Sequence, residues 1–175
     1  MALAQERRIP IRLRMADASD APMIYSNWLK SYAGQNKHIP KTVVDKIHRQ
    51  VVGRLLSEAH TVVAVVDLPD LDDEICGWLC AQRSEKFFIS HWGYVKREYR
   101  RFGVMTAMLE MFEYKRGEPV MASHDFPLRK DLRKHNIMYV PHICHEGGLE
   151  KIDKLYGGAF DAPSCLLKPS DAADE

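Results

Sequence analysis

The run Tyr94-Val-Lys-Arg-Glu-Tyr-Arg-Arg-Phe-Gly-Val-Met-Thr-Ala-Met-Leu109 sets Lys96, Arg97, Arg100 and Arg101 beside a single glycine, Gly103. Guanidinium groups offer paired, directional N–H donors to phosphate oxygens. Apolar residues then recur at Val104, Met105, Met108, Leu109 and Phe112, so Gly103 stands where a helix begins. The first N–H groups of a helix lack intrahelical partners, and the helix dipole favours negative charge beside them. Cationic side chains, bare amides and a glycine at one corner predict a site for a phosphorylated ligand. The plainer alternative is a solvated basic turn, with Gly103 needed only for its shape.

A proton-transfer group is read at His91. On a regular strand it shares a face with Ile89, Gly93 and Val95. A neutral imidazole there could take a proton from an amine, directly or through water. The competing reading is a packed strand histidine. Tyr94 and Tyr139 are further candidates for a proton donor, against a role as half-buried strand aromatics. Trp28, Tyr32, Trp78 and Trp92 suit a core or the wall of an acceptor pocket equally well. Arg129, Lys130, Arg133 and Lys134 form a basic helix face that either reaches a ligand phosphate or is simply solvated.

No metal site is expected. Cys76 and Cys80 would share a face of one strand about 13 Å apart, too far for a common ion. His142, Cys144 and His145 lie close together, but no second ligand pair has zinc-like spacing. The remaining cysteine, Cys165, completes no disulfide framework, and a reducing compartment is inferred.

The chain has 175 residues, enough for one domain with a real core. The expected core spans about residues 11–168, with 169–175 as an acidic tail. The formal net charge of +1 gives no global reason to expect nucleic acid or a membrane surface. No aliphatic run is long enough to cross a bilayer, and residues 1–10 lack the apolar core of a secretory signal, so a cytoplasmic protein is expected.

Ile11 to Met15 alternates as a half-buried strand does. Ser19 or Asp20 caps a first helix with Pro22 in its opening turn, ending near Gly34. A second helix starts at Thr42, with Asp45 as a capping-box partner and Val43, Ile47, Val51 and Leu55 on its buried side. Three strands follow as a meander, His60–Leu68, Glu74–Arg83 and Phe87–Val95, the first two joined by an acidic turn. The third feeds the basic turn and its helix. Beyond the break at Gly117-Glu-Pro119 come a short strand to Ser123, a brief helix from Asp125 to Asn136 and a strand from Ile137 to Ile143. Leu149–Tyr156 reads as a short helix and Ser164–Leu167 as a last strand.

This order resembles the GNAT superfamily of N-acetyltransferases over most of residues 11–143. Arg14-Met-Ala16 with Asp20 is similar to the Arg-x-Ala…Asp opening common there. Arg100-Arg-Phe-Gly103-Val-Met105 is similar to the family's Arg/Gln-x-x-Gly-x-Gly/Ala turn, and Val95 and Tyr99 match the stretch before it. The resemblance implies an α+β fold with a mixed, mostly antiparallel central sheet flanked by helices. It implies acetyl coenzyme A as co-substrate and direct transfer of the acetyl group to an amine. Arg100, Arg101, Phe102, Gly103, Val104 and Met105 would hold the pyrophosphate. Tyr94, Val95 and Lys96 would hold the pantetheine arm like an added strand, and Gly93 would house the bulge that opens the sheet for it. A backbone N–H near Val95 would polarise the thioester carbonyl.

Three positions depart from the family's pattern. Met105 replaces a small residue and would crowd the pyrophosphate. Leu132 stands at the position of a tyrosine acid, and Ile89 at that of a glutamate base. They support the alternative of a GNAT-like binding or structural module without catalysis, such as phage genomes encode. The acceptor is a small-molecule or peptide amine on the enzyme reading. Oligomeric state leaves no mark on the sequence, and a homodimer stays open beside a monomer.

Overall fold

The computed structural model describes residues 9–35, 38–69, 73–83, 87–124 and 136–144. Alternation gives strand β1 (Ile11–Met15), and a β-branched run gives β2 (His60–Val66). Strands β3 (Ile75–Arg83) and β4 (Phe88–Val95) complete a meander in which each neighbouring pair is antiparallel. Strands β5 (Val120–Ala122) and β6 (Ile137–Tyr139) add in parallel, making one six-stranded sheet in the order β1 to β6. Helices α1 (Ala21–Gln35) and α2 (Lys41–Glu58) follow β1, and α3 (Val104–Met111) joins β4 to β5. The class is α+β with a mostly antiparallel sheet, as the sequence implies.

Each face of the sheet has its own core. Ile24 and Trp28 of α1 and Val52 and Leu55 of α2 pack on Val63, Val65, Trp78, Cys80 and Trp92. Val104 and Met108 of α3, with Phe112 directly after it, pack on Val62, Ala64, Leu79 and Phe88 on the opposite face. Fully burying such a side chain contributes about 1.5–3 kcal/mol. Arg14 and Asp20 tie β1 to α1 through a two-pronged ion pair, with N–O distances of 2.6 and 2.9 Å. The Arg14 hydrogen bond, helped by the Asp17 N–H, holds the Asp20 carboxyl below its usual range against the opposing effect of burial.

Two β-bulges change which side chains share a face. Ala64 pairs with Gly77 but Val65 with Ile75, so Cys76 is an extra residue on β3. Cys76 therefore joins the α3 core and Cys80 the α1–α2 core; the shared face expected for them does not exist. Cys80 pairs with Trp92 but Ala81 with Ser90, so the extra residue on β4 is His91. The bulge lies at His91 rather than at Gly93.

Other expectations shift as well. Helix α2 opens behind Pro40 without a side-chain cap, so Thr42 and Asp45 form no capping box. Its buried line runs through Val44, Val52 and Leu55, while Val43 and Ile47 are 44% and 55% exposed. Leu55 is buried as expected and Val51 packs half-buried beside it, whereas in the first two turns Val44 takes the core position instead of Val43 or Ile47. Strand β6 ends at Tyr139 and the chain turns into a single 3-10 turn over Pro141–Cys144. Pro141 lacks the N–H that a longer ladder would need. The helix from Asp125 apart from Asn136, with Arg129, Lys130, Leu132, Arg133 and Lys134, lies outside the described residues. So do Leu149–Tyr156, Ser164–Leu167, residues 169–175, His145 and Cys165.

Candidate functional site

Strands β4 and β5 pair only over Phe88–Ser90 and Val120–Ala122. Their last main-chain bond runs from the Ser123 N–H to the Ser90 carbonyl, at 3.1 Å. Strand β4 continues to Val95, held by β3 as far as Gly77 on its other side. Among the described residues no strand pairs with His91–Val95 on the β5 side. Strand β4 thus runs on for five residues beyond its last position paired with β5, toward the N-terminus of the following helix.

Similar solved structures include a possible acetyltransferase from Clostridium difficile 630, at 17% identity and a TM-score of 0.46, covering 71% of this chain and 85% of that one. A GNAT-family protein from Desulfovibrio desulfuricans has 16% identity and a TM-score of 0.37, with 59% and 63% covered. An integron cassette protein from V. cholerae has 12% identity and a TM-score of 0.38, with 85% and 83% covered. No protein-family model matches the chain, and no curated protein matches it in sequence.

The ladder fixes which amides face the open side of β4. The Lys96 N–H donates to the Cys76 carbonyl at 2.9 Å. Antiparallel pairs alternate, so Tyr94 also turns its main chain toward β3, while Val95 and Gly93 turn theirs toward the open side. Of the expected trio Tyr94, Val95 and Lys96, only Val95 presents its main chain to the cleft, and Gly93 joins it. The Tyr94 side chain packs with the α1–α2 core. The Lys96 ammonium pairs with Glu74 at 2.9 Å instead of facing the turn. This bond, with a second from Tyr99, holds the Glu74 carboxyl below its usual range. The Arg100 Nε–H donates to the Val95 carbonyl at 3.0 Å.

The basic turn meets the outer end of this edge. Arg97 and Tyr99 bound a single 3-10 turn, and Arg100 and Arg101 are exposed. Gly103 caps α3 from the left-handed region, at φ 80°, and α3 has no side-chain cap. A Cβ on Gly103 would meet nothing within 4 Å, so the space beside the first amides of α3 is open. Arg101 is also left-handed, at φ 69°. A non-glycine residue there stores about 1–2 kcal/mol of strain, and such residues cluster at ligand clamps. Phe102 is half-buried, and Val104 is buried against the sheet. The Met105 side chain packs on the α3 core and across Gly93.

His91 is completely buried and joins a polar chain. The Gln82 Nε2–H donates to the Glu58 carbonyl at 3.1 Å, which turns Gln82 Oε1 toward His91 Nε2 at 3.1 Å. That contact requires the proton on His91 Nε2, so Nδ1 accepts from the Ser123 hydroxyl at 2.8 Å. Ser123 Oγ also lies 2.8 Å from His124 Nδ1. Burial, then the neighbouring His124 and Arg54 charges, pushes the His91 pKa down to about 3. The bulge sets His91 with Trp92 and Gln82 over the α1–α2 face, whereas Val95 and Gly93 abut α3. The direct-base expectation for His91 is corrected: both ring nitrogens are engaged inside the core.

Ser123 and His124 are the residues that sequence reasoning passed over. Their one signal is a Ser-His pair directly after a short strand. The His124 ring stands edge-on to Trp28 and Trp92, with centroids 5.4 and 5.8 Å away. A hydrogen bond with the His91 backbone counters a burial effect that still takes its pKa down to about 4. Trp28, Trp78 and Trp92 themselves form core, and Tyr139 is exposed on β6. Among the described residues no three His, Cys, Asp or Glu side chains gather to hold a metal, and no helix is long and apolar enough to cross a membrane.

Proposed function

We propose that this chain binds an acyl coenzyme A and transfers its acetyl group to the amine of a small molecule or peptide. The observation that supports it is the outer half of β4, unpaired with β5 beyond Ser90, beside the start of α3, which has no side-chain cap. The amides around Gly103 and the Arg100 and Arg101 side chains suit a pyrophosphate. The pantetheine arm takes the place of a strand along Val95 and Gly93. Within the cleft the amine nitrogen bonds to the thioester carbon, the C–S bond breaks, and the thiolate leaves. An outward N–H of β4 stabilises charge on the carbonyl oxygen, and alignment of the two reactants supplies much of the rate. The amine proton leaves through water, because His91 is sealed from the cleft. This sealing favours a second reading, coenzyme binding without turnover.

Calorimetric titration with acetyl coenzyme A tests the binding. Micromolar affinity is expected, weakened at least tenfold, about 1.4 kcal/mol, in Arg100→Glu. Arg101→Gly removes the left-handed strain and one cation together. It should weaken binding while leaving the fold as stable or more so. Silence at millimolar coenzyme would refute the binding site. Thiol release over a panel of amines then separates transferase from binder.

A further inference from the structure

Two main-chain bonds show that β4 reverses its direction of pairing along its length. The Ser90 carbonyl accepts from the Ser123 N–H, just after β5, at 3.1 Å, whereas the Lys96 N–H donates to Cys76 of β3 at 2.9 Å. Ser90 and Lys96 are an even number of positions apart, and a regular strand would turn both main chains to the same neighbour. The side chains reverse as well, since Phe88 packs in the α3 core and Trp92 in the α1–α2 core. Apolar packing therefore demands one extra residue between Phe88 and Trp92. With Ile89 held against Met121 and Ile143, either Ser90 or His91 would satisfy that demand. The register shows that the extra residue is His91. Its buried ring is pinned by Ser123 Oγ at 2.8 Å and by Gln82 Oε1 of β3 at 3.1 Å, and Gln82 is anchored in turn on the Glu58 carbonyl of α2 at 3.1 Å. His124 hydrogen-bonds the His91 main chain.

We infer that the Ser123 hydroxyl and the Gln82 side-chain amide hold the extra residue of β4 at His91 rather than at Ser90, which makes Gly93 the first main chain that β4 turns to its open side beyond the β5 ladder. A buried imidazole needs a partner for each nitrogen, and an unpaired one is costly. His91 finds both partners only where it stands. With Ser90 as the extra residue, His91 would pair with Ala81 and turn to the α3 face, leaving Gln82 and Ser123 behind. Its main chain would then face the open side, and the last acceptor in step with β5 would be Phe88. As built, the open side meets Ser90 and next Gly93, three positions on instead of two. A ladder that repeats every two residues falls out of phase there, so pairing with β5 stops at Ser90. Neither Ser123 nor Gln82 touches a reacting atom; both are positioning residues. Their meaning for a ligand rests on the coenzyme reading, in which the first open amide stands at the thioester.

Nitrogen NMR of the unmodified protein at neutral pH gives the first test. His91 should carry its proton on Nε2, with Nδ1 bare and accepting from Ser123; the opposite tautomer or an imidazolium overturns the inference. Amide exchange gives the second. Ser123→Ala should speed exchange at Ser90 and at residue 123 by at least about tenfold relative to Lys96, whose bond lies beyond the extra residue. Ser123→Thr keeps a hydroxyl and should return both rates to within about threefold of the unmodified protein. Equal acceleration at all three amides would mark a general loss of stability and overturn the inference, as would no acceleration at all. Gln82→Met is read in the same way, and the tautomer decides the matter even if neither variant folds. Titration of the unmodified protein with acetyl coenzyme A is separate. Silence there refutes the coenzyme reading, while tautomer and exchange still decide what holds the extra residue.

Discussion

The terminal methyl of Met105 lies 2.8 Å from the position a Cβ on Gly93 would take. Gly93 is thus the seat of Met105, and the first turn of α3 rests on the sheet through this contact. Met105→Ala empties that seat. We expect a loss of about 1–2 kcal/mol, below the usual range for a fully buried methionine because Met105 is half-buried. Urea denaturation measures it. Coenzyme affinity should change by less than about threefold. A large gain in affinity would mean that the methionine does crowd the ligand.

Gly77 makes the second seat, and a side chain there meets main chain. A Cβ would stand 2.9 Å from the Tyr94 carbonyl oxygen and 3.2 Å from Val104 Cγ1. A carbonyl within a ladder cannot rotate away as the end of a methionine can. Gly77→Ala should therefore cost about 2–3 kcal/mol, near the upper end for overpacking. Gly93→Ala, which displaces a flexible tip, should cost less. Thermal unfolding of the two variants side by side checks the order, and the reverse order would contradict the seating of α3.

Acid should destabilise the fold through its buried histidines. The unfolded chain protonates a histidine near pH 6.5, whereas folded His91 and His124 resist protonation down to about 3 and 4. Between those limits the unfolded state binds more protons, so stability is intact above pH 6.5 and declines as pH falls. At pH 4.5 His91 alone accounts for roughly 3 kcal/mol, taking its pKa as about 3. His91→Gln should flatten this part of the profile, read from urea midpoints between pH 7 and 4.5. An unchanged slope would show that His91 is protonated in the folded state at higher pH.

The elements that place the site were legible because local and global signals agree in them. The β-branched run of β2, the aromatic run of β4 and the glycine before α3 each have one plausible backbone. Face assignments failed at Cys76 and His91 for one shared reason. A bulge adds a residue without any change of composition, and every parity argument across it then inverts. The buried stripe of α2 was displaced because Val43, Val44, Val51 and Val52 form two adjacent apolar lines, and only the packing chooses between them. His124 stayed hidden because its role depends on where β4 and β5 part, which no spacing within either strand records. The basic run alone places Lys96 at the anion site; its partner Glu74 stands just before the neighbouring strand β3, which a local view of that run does not include.

Among the described residues β4 has no partner on its β5 side beyond Ser90, and an open strand edge invites another chain to extend the sheet, the first step of aggregation. Arg100 interrupts that invitation, since its Nε–H already occupies the Val95 carbonyl. A foreign strand approaching β4 finds one acceptor taken and a cation in its path, whereas a ligand needing only donors still finds the Val95 and Gly93 amides. The same guanidinium thereby serves colloidal solubility, and its removal should promote self-association at high protein concentration even before any ligand is added.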